Sequence, residues 1–405
     1  MGIKLGLVGL GSFGSIFSKL FAAHPLVDKF AICDCEASKI QRQLDDPFVK
    51  TKVSPKDCYT TLDEMCKADL DAIAIITQPW LHAPQAIQAM ESGKDVYSAV
   101  PVICLPDFDE TLDWCSKLIE TSKRTGKHYM LGETTIYRPL TMFCMRMAAE
   151  KRFGEFVYAE GEYIHDLDSG CSLRQVHKDR TTGIVGEQYA NMMKKYESMM
   201  DSPMNYPTHS ISGPMHVMQT RALKVHAFGT PNTNDDPFFK RYAFSDITAL
   251  YKLANGASLR ISEFREIGAG SFDRIDSETF RIFGKSGSFS ANQWEENHRT
   301  APFTAKPREY IGNLKPKDMR DPLPADVEQC YRAAIMPNAN PKDDFQASGH
   351  GGSHPYLVHE FVSSVAEGRE SAIPISEAAH YMAMGAAAHK SALLDGETVE
   401  VQTLE

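Results

Sequence analysis

The stretch Ile3-Lys4-Leu5-Gly6-Leu7-Val8-Gly9-Leu10-Gly11-Ser12-Phe13-Gly14 decides the fold. An apolar run that breaks into G-x-G-x-x-G reads as a strand turning tightly into a helix. Gly9 permits the turn, Gly11 lets backbone N–H groups approach a pyrophosphate, and Gly14 lets the helix pack against the strand. Ser12 and Phe13 open that helix, whose first N–H groups have no intrahelical partner and attract phosphate. A second apolar run, Phe30-Ala31-Ile32-Cys33, ends in Asp34, twenty residues beyond Gly14. A dinucleotide site places there the acid that binds a ribose 2′-hydroxyl. Asp34 repels a 2′-phosphate and no Arg follows it directly, so the expected cofactor is NAD rather than NADP.

Working outward, residues 1–134 alternate apolar runs with helical patterns, as a parallel α/β sheet requires. Strands are expected over 70–76, 95–98 and 128–131, and helices over 13–23, 84–92 and 107–125. Ligands sit beyond the carboxyl ends of such strands. That rule places Thr77, Gln78, Pro79, Pro101 and Glu133 near the cofactor, and His82 either contacts it or caps the following helix. After residue 135 the pattern changes to alternating strands over 156–163, 222–228, 249–252 and 258–264. A hairpin is expected around Lys285-Ser286. The expected architecture is α/β: an N-terminal Rossmann dinucleotide-binding domain, 1–134, and a C-terminal α+β domain, 135–405, with a largely antiparallel open sheet. Residues 166–205 and 295–350 read as irregular, the former rich in Met. Helices are expected over 357–367 and 376–394.

Composition narrows the function. The chain has 405 residues, 42% of them hydrophobic, and a formal net charge of −10. That charge argues against nucleic acid or an anionic membrane as partner. No apolar stretch approaches the roughly 20 residues that span a bilayer. The first apolar run has no small-residue cleavage site after it. Nine scattered cysteines suit reduced thiols in a cytoplasmic protein. His350, His354 and His359 invite a metal reading, but Gly351, Gly352 and Pro355 break a helix there. No metal set is expected, and Gly349-His350-Gly351-Gly352 reads as a loop closing over substrate or cofactor.

With these motifs the chain resembles the Gfo/Idh/MocA oxidoreductase family over nearly its whole length. The resemblance is carried by the glycine turn, by Ala72-Ile73-Ala74-Ile75-Ile76-Thr77-Gln78-Pro79 with His82, and by Gly93-Lys94-Asp95-Val96. The family's usual Glu-Lys-Pro, whose Lys assists hydride transfer, stands here as Ala99-Val100-Pro101. Tyr163-Ile164-His165-Asp166, Tyr206-Pro207-Thr208-His209 and Gly349-His350-Gly351-Gly352 resemble the subgroup of glycoside hydrolase family 109, NAD-dependent glycosidases. The family's Asp-x-x-x-His pair stands here as Asn205 and His209, and His354 stands where relatives often carry Asp.

The resemblance implies a carbohydrate substrate, a homo-oligomer and cleavage without the usual carboxylate pair. The sugar is oxidised at C3, C2 is deprotonated, the aglycone is eliminated, water adds and the ketone is reduced again. It implies His209 as the base at the C3 hydroxyl with Tyr206 beside it, and Tyr163 at C2 with His165. Glu133 orients a sugar hydroxyl or tunes His165, while Asp166, Asn205 and His350 contact substrate. The alternatives are a net NAD-dependent sugar 3-dehydrogenase and a non-catalytic NAD-binding regulator.

Overall fold

The structure is a computed structural model describing residues 2–165, 167, 172–233, 235–267, 278–296, 299–300, 304–305, 309–340, 343, 345 and 349–404. The first sheet is built from β1 (Ile3–Val8), β2 (Val27–Cys33), β3 (Cys58–Tyr59), β4 (Ala72–Ile75), β5 (Asp95–Ala99) and β6 (Tyr129–Gly132). Its order is β3-β2-β1-β4-β5-β6, and every pairing is parallel. The crossovers carry α1 (Ser12–Ala23), α2 (Ala37–Leu44), α3 (Leu62–Lys67), α4 (His82–Glu91) and α5 (Phe108–Thr125). Helices on both faces explain the unbroken apolar runs: all of β4 is buried. α5 shows how local sequence sets an element. Asp107 caps it by accepting from the Glu110 N–H, basic Lys123 and Arg124 lie in its last turn, and Gly126 ends it at φ 66°.

The glycine turn behaves as its spacing demands. Gly9 sits at φ 95°, and a Cβ there would lie 2.1 Å from the Ile76 carbonyl oxygen. A Cβ on Gly14 would lie 1.9 Å from the Gly9 oxygen, so that glycine is required for helix to meet strand. A Cβ on Gly11 would meet nothing within 4 Å. The space beside Gly11, at the N-cap of α1, is the cradle a pyrophosphate requires.

The second sheet follows α6 (Pro139–Ala149). Its strands are β7 (Phe156–Ile164), β8 (Ala222–Pro231), β9 (Phe244–Leu253), β10 (Ser258–Phe264), β11 (Glu278–Gly284), β12 (Gly287–Ser290) and β13 (Gln293–Glu296). The two-residue pair β14 (Arg299–Thr300) and β15 (Thr304–Ala305) stands apart, and β16 (Glu309–Ile311) and β17 (Val399–Glu400) form the edges. The order is β16-β13-β12-β11-β7-β10-β9-β8-β17, antiparallel except for β10 beside β7. The expected hairpin is β11–β12, with Ile282 opposite Phe289.

Several helices were not expected. Residues 166–205, read as irregular, hold α7 (Leu173–Arg180) and α8 (Gly183–Met193); both are short and mostly exposed, so their apolar periodicity is weak. α9 (Thr208–Met218) is buried almost all round, which hides any amphipathic signal. α10 (Pro316–Met319) and α11 (Ala325–Ile335) lie in the other stretch read as irregular. α12 (His354–Glu367) begins earlier than expected, because Pro355 at its first turn starts a helix rather than breaking it. α13 (Ile375–Leu393) runs between the sheets: its Tyr381 and Met384 are fully buried, and the Met384 carbonyl accepts from Tyr251 of β9. α9 and α13 cover one face of the second sheet, and the other face is open. Among the described residues no helix is long and apolar enough to cross a membrane.

Candidate active site

The carboxyl ends of β1, β2, β4, β5 and β6 carry Gly9, Asp34, Thr77, Val100-Pro101 and Glu133. Asp34 is buried, with Oδ2 accepting from the Leu10 N–H at 2.8 Å and Oδ1 from the Glu36 N–H at 2.9 Å. It therefore braces the glycine turn. Lys39, which the sequence reading did not single out, stands 3.9 Å from Asp34 Oδ1. Thr77 donates to Gln85 Oε1 at 2.6 Å, while Gln78 stands at the N-cap position of the short turn opened by Pro79, without a side-chain cap. The Val100-Pro101 bond is cis.

His82 is a correction to the sequence reading. Its Nδ1 lies 2.8 Å from the Pro101 carbonyl and its Nε2 3.2 Å from that of Thr77. The ring is buried, and burial pushes its pKa down to about 4. His82 begins α4 rather than capping it, and its neutral ring donates its single N–H to one of these two carbonyls, packing between the cofactor-side loops.

Opposite these loops the second sheet offers one cross-strand row: Glu263 of β10, Tyr163 of β7 and Glu278 of β11 are register partners. Over this row lies the first turn of α9 with His209. His209 Nδ1 is 2.8 Å from Glu133 Oε1 and 4.0 Å from Glu278 Oε2. Glu133 also accepts from the Thr135 N–H at 3.0 Å. Glu278 accepts from Thr135 Oγ1 at 2.6 Å and pairs with Arg138 at 2.8 Å. Glu133 is fully buried and Glu278 and His209 nearly so.

Electrostatics sets the protonation. Burial and a helix N-terminus both oppose a charged imidazole. The carboxylates of Glu133 and Glu278 overcome them and hold the His209 pKa at about 9. Conversely, burial disfavours charged Glu133, yet the charge and hydrogen bond of His209 bring its pKa to about 2. His209 is thus an imidazolium at neutral pH, whereas the resemblance implies a base. The ligand atoms of Glu133, His209 and Glu278 lie within 4.8 Å of one another, a spacing a metal ion accepts. In the chain itself the His209 proton and the Arg138 guanidinium already meet that negative charge.

Three aromatic groups frame His209. The Tyr163 ring centroid is 4.8 Å away and that of Tyr206 5.5 Å. Tyr163 Oη is 2.8 Å from His165 Nδ1, and Arg265 lies over its ring at 5.1 Å. Burial outweighs that cation and leaves the Tyr163 hydroxyl well above the usual phenol range. Tyr206 donates to the Val100 carbonyl at 2.7 Å and so fastens the two domains at the cis peptide. His350, exposed, stacks nearly parallel to His209 at 6.2 Å. Asn205 is buried and donates to Asp201 at 3.4 Å. Phe13 lies against His350 at 5.6 Å, joining the glycine turn to that loop. Asp166 falls outside the described residues.

The sequence reading missed Glu278, Arg138, Glu263, Arg265 and Thr135. Two of them carried a signal. Glu278 and Glu263 occupy inward positions of alternating strands, in phase with Phe280 and Ile282 and with Leu259 and Ile261. A charge on the apolar phase of a strand requires a buried partner.

A dinucleotide turn facing a buried His–carboxylate cluster across two domains defines a two-domain nucleotide-dependent class of protein. The comparisons with known proteins sharpen this. Residues 3–133 match the model of the oxidoreductase family with an NAD-binding Rossmann fold, and the first domain is an NAD-binding Rossmann domain of that family. A glycosyl hydrolase family 109 protein of Shewanella pealeana is 33% identical over 171 residues, 41% of this chain and 36% of the relative. An alpha-N-acetylgalactosaminidase of Bacteroides fragilis is 31% identical over 235 residues, 55% of this chain and 49% of the relative. The chain thus spans half or less of the length of these curated relatives. A levoglucosan dehydrogenase solved with NADH superposes over 100% of both chains with a TM-score of 0.70 at 18% identity, a likeness of fold.

Proposed function

We propose that the chain is an NAD-dependent glycosidase that cleaves a glycoside by transient oxidation at C3 and elimination across C2. The observation that carries this reading is the buried Glu133–His209 pair beneath Tyr163, facing the carboxyl edge of the nucleotide sheet. The open cradle at Gly11 and the placement of Asp34 fit NAD. Bound there, NAD supplies a hydride acceptor and returns the hydride within one turnover. The absence of a Lys at position 100 and the family 109 relatives support a recycled cofactor over a consumed one.

The chain's own groups then move protons. His209 must release its proton before it can accept one from the C3 hydroxyl. Its Nε2 does this, because Nδ1 is tied to Glu133. Tyr163 Oη passes its proton to His165 Nδ1, 2.8 Å away, and can then take one from C2. Glu133 and Glu278 keep the imidazolium from leaving the pocket electrostatically unbalanced. A second copy on the open face of the second sheet completes the proposal. Phe228, Leu250 and Tyr310 are 63%, 49% and 60% exposed there, and such apolar surface calls for a partner. Sedimentation of the wild-type chain as a monomer removes that part.

The decisive experiment incubates the protein with aryl glycosides and NAD in D2O. Aglycone release without stoichiometric NADH, with deuterium at C2 of the product, is the expected result. NADH accumulation with the glycosidic bond intact replaces it with a net dehydrogenase. Tight NAD binding with no turnover across a broad panel replaces it with a regulator.

A further inference from the structure

The loop before α12 is wound in an unusual way. Gly349, His350, Gly351 and Gly352 have φ of 73°, 37°, 67° and 91°. Three glycines adopt such angles freely, but His350 does not. His354 is what the loop is wound around. A Cβ on Gly349 would lie 2.0 Å from the His354 ring, so the backbone rests directly on that imidazole. Phe13 and Phe17 of α1 pack against the same ring at 5.3 and 4.7 Å, and it is 1% exposed. His350 Nδ1 meets His354 Nε2 at 2.9 Å. Nδ1 of His354 is buried with no hydrogen-bond partner among the described residues.

Those facts choose between two arrangements of one proton. If His354 accepted from His350, its own proton would sit on the buried Nδ1 as an N–H donor facing no acceptor. Buried orphan N–H groups are rare because the donor loses its water and gains nothing. If His354 carries its proton on Nε2, it donates to His350, and the buried Nδ1 is only a bare lone pair. We propose that His354 is a positioning residue that fixes the tautomer of His350. His354 donates from Nε2 to His350 Nδ1, and neutral His350 keeps its own proton on Nε2 as a hydrogen-bond donor to a neutral ligand oxygen, a sugar hydroxyl or ketone. Burial, with His350 adding to it, pushes His354 down to about 3, so it stays neutral in this role. A carboxylate at position 354 would do the reverse: it would accept from His350 Nδ1 and leave Nε2 as a base. The charged and titratable groups facing His350 are Glu278, His209, Arg138, Glu133 and His354. The sugar or ketone as ligand rests on the function proposed above; the tautomer does not.

The test is ring-nitrogen NMR on NAD-loaded protein carrying 15N-imidazole histidine at pH 7.5, with His350 assigned by its loss in His350→Gln. The expected pattern is the Nε2–H tautomer for His350, switching to Nδ1–H in His354→Asp. A wild-type Nδ1–H pattern overturns the proposal even if the variant fails to fold, and so does an unchanged pattern in folded His354→Asp. The Nε2–H pattern in a protein without glycoside turnover upholds this assignment and removes the proposed activity.

Discussion

The strands β7, β10 and β11 carry charge on both faces, and the two faces do different things. On the covered face stand Glu263, Tyr163 and Glu278; on the open face, in one register row three positions along β7, stand Arg260, Glu160 and Arg281. Side-chain alternation alone separates them. On the open face Glu160 accepts two hydrogen bonds from Arg281, one from Arg260 and one from Tyr158. The Arg281 side chain is 48% exposed, so water screens that end of the ladder, while Glu160 itself lies buried beneath its partners. On the covered face α9 and the Thr135–Arg138 turn exclude water. There Glu263 is pushed up to about 7 by burial, with Arg265 and Ser210 only partly offsetting it, while Glu133 is held at about 2. The number of charges is similar on both sides. Burial raises Glu263 on the covered face, and under the function proposed above it is the covered set that reacts.

The sharpest way to break this contrast is His209→Ala. Turnover is expected to fall by about a thousandfold or more, while NAD binding measured by calorimetry stays within a few fold. Full activity in that variant sinks the assignment of the covered face as the reactive one.

The pH response of the same residue separates stability from activity. The folded protein holds the His209 proton up to about pH 9, against 6.5 in the unfolded chain. Its stabilising share is therefore full below pH 6.5 and is lost as the pH rises through 9. Loss of that share amounts to an order of 3 kcal/mol. Urea titrations at pH 6 and 10, compared with Glu133→Gln, read it directly. Activity has the opposite sign, because His209 acts as a base only after losing the proton. Turnover is expected to climb nearly tenfold per unit from pH 7 toward 9. A flat profile over that range removes His209 as the base at the C3 hydroxyl.

How much of this was legible follows from the same contrast. The nucleotide domain was open to reading because glycines, the Asp34 spacing and apolar runs are local signals. β1, β2, β4, β5 and β6 lie where the residue pattern puts them, and Asp34 and Glu133 fall at strand ends; the two-residue β3 was too short to leave a pattern. The alternating strands of the second sheet were equally legible. The charge cluster was not. It joins residues 133, 135, 138, 209, 263 and 278 through sheet register and the docking of α9, neither of which a linear pattern encodes. His82 shows the reverse failure: a His in the right place by topology is buried with its ring nitrogens against backbone carbonyls. The state of His209 was hidden too, since its pKa depends on Glu278, which lies 69 positions away in the chain.

A smaller effect probes the scaffold beneath the cluster. Thr135 Oγ1 donates to Glu278 Oε2 and approaches the His209 carbonyl at 3.2 Å. Thr135→Val keeps the shape and removes the donor. A loss of about 1–3 kcal/mol in unfolding free energy is expected, since Glu278 is then less well satisfied in a dry site. A loss within error shows that Arg138 alone supports Glu278.

The smallest effect is expected on the open face. Glu160→Gln removes a charge that four hydrogen bonds address, and by bond count it outranks Glu133. Each partner on that face can turn instead to water or, for Arg260, to Glu162, which it already contacts. The change is expected to cost no more than about 1 kcal/mol and to leave kcat and its pH profile unchanged, read by thermal unfolding and steady-state rates. If Glu160→Gln moves the pH profile as far as Glu133→Gln does, the two faces are electrostatically coupled through the sheet, and burial alone does not decide which charges react.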